Sequence, residues 1–249
     1  MKINSRTLIP FVGLFASILL AGPTAASAQS ADYTVSQHGT NVGTASFTIT
    51  PNPAGYNSTS LVHVNMQGLD YALSKTERLS PAEQLDHVQL SGIVNNSAVN
   101  VVSKRDGAQF LINISANGRS NTAQLAGHDH TVFLPDFDPG ALETLLAIAA
   151  KSNNRDLWAI IPKQAGSIVP VRLATYPDEH GTLNGKPLTV HHLVATIAGA
   201  ETDLFSGPSN QLLQAELQQP GFALVRDGFV LTPPAKPIAP PPEPNGQTQ

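Results

Sequence analysis

Histidine is the chemically active side chain in surplus, with eight in a chain of 249 residues that holds no cysteine. His128-Asp129-His130 comes closest to a metal-binding pattern. Residues two apart on an extended chain point the same way, so both imidazoles could reach one ion. Asp136 or Asp138 lies near enough in sequence to add an oxygen. Two ligands do not complete a site, and the segment reads first as a polar hairpin loop with two solvated imidazoles. No metal or other cofactor is expected, and a metal-dependent enzyme using His128 and His130 is the last of three functional readings.

His191-His192 offers less than it promises. Neighbours on a strand face opposite sides, so His192 lies with Val190 and Val194 while His191 lies with Leu193, Ala195 and Ile197. One of the two is expected to be exposed and the other hydrogen-bonded inside or lining a cavity. Asp178-Glu179-His180, bracketed by Pro177 and Gly181, reads as a solvated loop tip. No G-x-S-x-G nucleophile elbow, P-loop or G-x-G-x-x-G is present. Aromatic residues make up 6%, and the single Trp158, beside Ile160 and Ile161, reads as core rather than as a sugar platform. No catalytic residue is expected, and the chain reads as non-enzymatic.

The elements that would position these residues lie between two distinctive ends. Lys2 and Arg6, an apolar run from Leu8 to Ala21, the Gly22-Pro23 break and Ala26-Ser27-Ala28 make up a secretory signal peptide over 1–28. Its apolar run is shorter than the ~20 residues that span a bilayer. Cleavage would leave Gln29 first, with no lipid-anchor cysteine after it and no later membrane span. The periplasm or the medium is then the expected compartment. Residues 233–249 hold seven prolines in 17 positions and read as an extended, disordered tail. The β-rich domain occupies 29–232. Losing the leader lowers the basic residues from 14 to 12 against 18 acidic ones, a net charge of −6. Nucleic acid, which needs a concentrated basic face, is not an expected partner.

Within the domain, apolar residues alternate with polar ones, the mark of half-buried strands. Ala45, Phe47 and Ile49 face one way and Thr44, Ser46 and Thr48 the other; Phe110, Ile112 and Ile114 repeat the pattern. Asn95-Asn96, Asn117-Gly118 and Asn184-Gly185 punctuate it as turns. Pro170 predicts an edge strand or a bulge. About twelve strands result, mostly joined as sequential hairpins, which favours a large curled antiparallel sheet. One helix interrupts them at about 139–150. Asp138 can cap it, Pro139 suits its first position, and Leu142, Leu145, Leu146 and Ala149 form an apolar stripe that Ile148 and Ala150 widen. Such a helix is the natural filler for the sheet's concave side.

Three segments carry a resemblance: YTVSQHGTNVGTASFTIT from Tyr33, YALSKTERLSPAEQL from Tyr71, and the run from Gly185 to Leu231. Together they resemble a family of exported bacterial β-rich proteins of uncharacterised function, which are similar in turn to periplasmic lipoprotein-carrier-like half-barrels. The resemblance implies a half-barrel, an exported compartment and an apolar cavity, and brings no catalytic residues. A lipophilic small molecule is then the expected partner, in a cavity bordered by Phe47, Phe110, Leu142, Leu145, Leu146 and Val194. The second reading is a structural or partner-binding envelope protein whose sheet is filled by its own helix.

Overall fold

Alternation along the chain becomes alternation of burial. In a computed structural model, which describes residues 28–153, 155–164, 166–217 and 221–233, Ser58, Ser60, Val62 and Val64 point inward from one strand while Thr59, Leu61 and His63 point out. Nearly all of the expected leader, and the proline-rich tail from 234 onward, lie outside the described residues.

Eight strands follow one another as antiparallel hairpins: β1 (Gln29–Gln37), β2 (Thr40–Asn52), β3 (Gly55–Met66), β4 (Leu69–Leu79), β5 (Leu85–Val94), β6 (Ser97–Asp106), β7 (Gln109–Ala116) and β8 (Arg119–Ala126). The β7–β8 turn needs positive φ at both central residues, which Asn117 (52°) and Gly118 (68°) supply. A parallel crossover comes next: β9 (His130–Phe133), the helix α1 (Pro139–Ser152) and β10 (Leu157–Ile161), with β9 and β10 side by side. Then come β11 (Ser167–Thr175), β12 (Glu179–Leu183), β13 (Lys186–Ile197), β14 (Ala200–Ser206), β15 (Leu212–Leu217), β16 (Phe222–Arg226) and β17 (Phe229–Leu231). The chain thus has seventeen strands among the described residues, more than the alternation alone resolves.

The two halves join where β1 pairs with β2 on one side and β16 on the other. The continuous order is β8-β7-β6-β5-β4-β3-β2-β1-β16-β15-β14-β13-β11-β10-β9. The helix contacts β2, β3, β9 and β15, strands far apart in that order, so the sheet wraps around it. The outer strands also come round: β9 lies against β5, and β8 approaches β11. β13 serves two neighbours. Its first half pairs with β12, its second with β11, and Pro170 of β11 sits just before the β13 pairing begins at Val171. A residue without an N–H is tolerated at such a local edge. β12 and β17 form a flap on the outer face, over a second small core of Val190, Phe205, Leu213 and Phe229.

The helix begins and ends as its sequence dictates. Asp138 accepts a hydrogen bond from the Ala141 amide at 3.1 Å, and Asn153 closes the last turn in the left-handed conformation with its N–H on the Ala149 carbonyl. Leu142, Leu145, Leu146, Ile148 and Ala149 are buried in one core with Tyr33, Phe47, Phe110 and Ile112 from the sheet. Ala150, by contrast, is exposed, so the buried arc stops at Ala149. The helix approaches the sheet so closely at Gly140 that a Cβ there would lie 2.4 Å from Ser60 Oγ and 3.0 Å from Phe47 Cβ. Glu143 is buried too. It accepts the Leu212 amide at 2.6 Å and the side-chain amide of Gln29, and burial pushes its carboxyl above the ordinary range against the pull of those bonds. Tyr33 donates to the Leu212 carbonyl at 2.9 Å from the other side.

Candidate functional site

The histidine motifs are absorbed by local structure. His128 stacks on Trp158 with ring centroids 3.7 Å apart, and Asp129 lies 2.9 Å from Arg105. Trp158 is therefore half-buried beneath an imidazole, on the side of β10 opposite Leu157 and Ala159, rather than within the core. Asp136 and Asp138, expected as further oxygen donors, instead meet Lys163 at 2.7 Å and Lys75 at 2.9 Å. Asp178-Glu179-His180 is not a free loop tip, because β12 begins at Glu179. Asp178 Oδ1 lies 2.9 Å from His191 Nδ1. His192 sits between Asp203 (2.8 Å) and Glu179 (3.4 Å) and stacks on Phe205. The two histidines do face opposite ways, and each has its own acid. No cluster of three or more His, Cys, Asp or Glu able to hold a metal occurs among the described residues.

A buried ionic cluster lies at the start of the helix. Tyr71, Leu73, Lys75, Glu77 and Leu79 share the inward face of β4. Lys75 Nζ is 3.0 Å from Glu77 Oε2 and 2.9 Å from Asp138 Oδ2, and all three side chains are 1% exposed or less. Burial pulls the Lys75 ammonium down, but Asp138 and Glu77 outweigh it and the group titrates above its ordinary value. Burial pushes the Glu77 carboxyl up, which the pull of Lys75 only partly offsets. The buried hydroxyls of Ser58 and Ser60 lie opposite Glu77 and Lys75 on β3. Solvent does not reach it, so its chemistry is positional: it ties the helix to β4.

Open space lies beside the helix, toward β4–β8. The helix covers β2, β3 and β15, and the inner face beyond it is only partly filled. A half-open cavity of about 810 Å³ remains there. Leu73, Leu90, Val94, Val99, Val101 and Ile114 form its apolar wall, and Leu134, Pro135 and Pro162 face them. Val94, Val99, Ile114 and Leu134 pack against the edge of the core yet stay only half-buried, because they also border this space. Its rim is polar, with Ser97, Asn117, Arg119, Asn121, Asp136 and Lys163. The Tyr71 hydroxyl donates to the Asp136 carbonyl at 3.1 Å and pins the loop that closes one side. Burial and the carboxylates of Asp136 and Asp138 hold the Tyr71 phenol well above its ordinary value, so it stays a donor.

The six residues expected to border a cavity are all buried, but not together. Phe47, Phe110, Leu145 and Leu146 belong to the packed core around the helix. Leu142 lines a smaller space of about 180 Å³ near Phe137 and Leu224. Val194 shares the outer face of β13 with Val190 and His192, turned away from the helix. None of the six lines the large cavity. Its walls come instead from the ends of β4–β7. Ile114 was legible as a strand residue, but nothing local marks which stretch of an inner face the helix leaves uncovered.

No protein-family model matches the chain, and no curated protein shows significant similarity to it. No helix among the described residues is long and apolar enough to cross a membrane.

Proposed function

We propose that this is an exported, non-catalytic protein that holds an apolar or amphipathic small molecule between β4–β8 and the Leu134–Asp136 loop that precedes the helix, in the manner of half-barrel carriers. The cavity of about 810 Å³ carries the reading. It falls within the ~300–1,000 Å³ typical of small-molecule sites and has the usual apolar wall and sparse polar groups. The alternative of a sheet filled by its own helix fits the core around Leu145, but it does not account for the open space bordered by Val94, Val99 and Ile114.

The neutral fluorophore N-phenyl-1-naphthylamine tests this. Saturable binding by the mature chain is expected, together with its loss in Val99→Trp at unchanged melting temperature. Absence of saturable binding would count against the carrier reading. Export has its own test: intact-mass analysis should show a chain starting at Gln29, and a mass that retains residues 1–28 would count against a cleaved leader.

A further inference from the structure

The charges at the cavity mouth bear on the ligand's head. Three charged side chains line the cavity: Arg119, Lys163 and Asp136. Lys163 and Asp136 neutralise each other at 2.7 Å. Arg119, the first residue of β8, is exposed and has no ion pair or side-chain hydrogen bond among the described residues. The mouth therefore carries one uncompensated positive charge on a chain whose formal net charge is −4. At physiological salt, charges beyond ~8 Å are largely screened, so the local cation outweighs the distant acids. Asn117 and Asn121 stand beside Arg119 on the β7–β8 hairpin and add amide donors.

We infer that the cavity takes an acyl-chain amphiphile with its chain against Val99 and Ile114 and an anionic head against Arg119. The inference rests on the binding reading above. A guanidinium suits this role because its planar fork can hold a carboxylate or phosphate through two hydrogen bonds.

Tetradecanoate, tetradecanol and tetradecyltrimethylammonium share a chain length and differ in head charge. Each is titrated against mature protein loaded with N-phenyl-1-naphthylamine. Tetradecanoate should displace the fluorophore at the lowest concentration and the alkylammonium at the highest. Arg119→Glu should weaken tetradecanoate roughly tenfold while tetradecanol changes by less than about twofold. A parallel incubation with phosphatidylglycerol vesicles, then phosphorus assay of the separated protein, distinguishes a membrane phospholipid from a free acid as the source; uptake of either anion supports the inference. Equal displacement by the three heads, or indifference to Arg119→Glu, would overturn the anionic head and leave the cavity reading standing. Failure of the neutral fluorophore to bind would remove both.

Discussion

Asp138 is shared between the helix and the sheet: its Oδ1 accepts the Ala141 amide at 3.1 Å while its Oδ2 lies 2.9 Å from Lys75 Nζ on β4. One carboxylate thus starts the helix and fixes where it docks. Removing Lys75 would leave two carboxyl groups in a dry interior, whereas removing the whole cluster would not.

Lys75→Met alone is expected to cost about 3–5 kcal/mol, the usual penalty for orphaning a buried charge. The triple change Lys75→Met, Glu77→Leu and Asp138→Asn should recover most of that loss, since Asn still caps a helix. Urea unfolding of both variants checks this. A triple variant no more stable than the single one would mean the cluster contributes net stability.

Leu145 is 1% exposed, in the core shared with Phe47 and Phe110. Leu145→Ala should cost about 2–5 kcal/mol, with little effect on fluorophore binding because Leu145 does not line the large cavity. A stable variant that loses binding would move the site beneath the helix.

Gly140→Ala should destabilise although Ala favours helices by about 1 kcal/mol over Gly. The added Cβ would meet Ser60 Oγ at 2.4 Å. Forcing the helix off β3 should cost about 1–3 kcal/mol, read as a lower melting temperature. A rise in melting temperature would show that the helix can shift freely.

Burial raises the Glu143 carboxyl above its unfolded value. For an acid shifted upward, the folded state binds more protons between the two values, so stability falls as pH rises through that window. Glu143→Gln removes the titration. The variant should gain melting temperature over the parent at pH 8, and the gap should narrow by pH 5. A gap that widens on acidification would reverse the sign and point to a carboxylate favoured in its charged form.

The sequence alone determined the local pieces. Alternation fixed strands such as β2 and β7, Asn117-Gly118 fixed a turn, and Asp138-Pro139 fixed the start of the helix, because each follows from backbone preferences within a few residues. The inward placement of Lys75 and Glu77 was not legible there: the two-residue period groups them with Tyr71 and Leu73, but their charge invites an outward reading. Tertiary structure decided the rest. Pairing β1 with β16, two ends of the chain, sets how far the sheet wraps, and the close approach at Gly140 sets where the helix lies within it. Only those two facts settle which apolar residues are covered. Leu145 is fully packed and Val99 borders open space, though both are apolar residues on inward faces, because volume left unfilled is a property of all the surrounding elements at once.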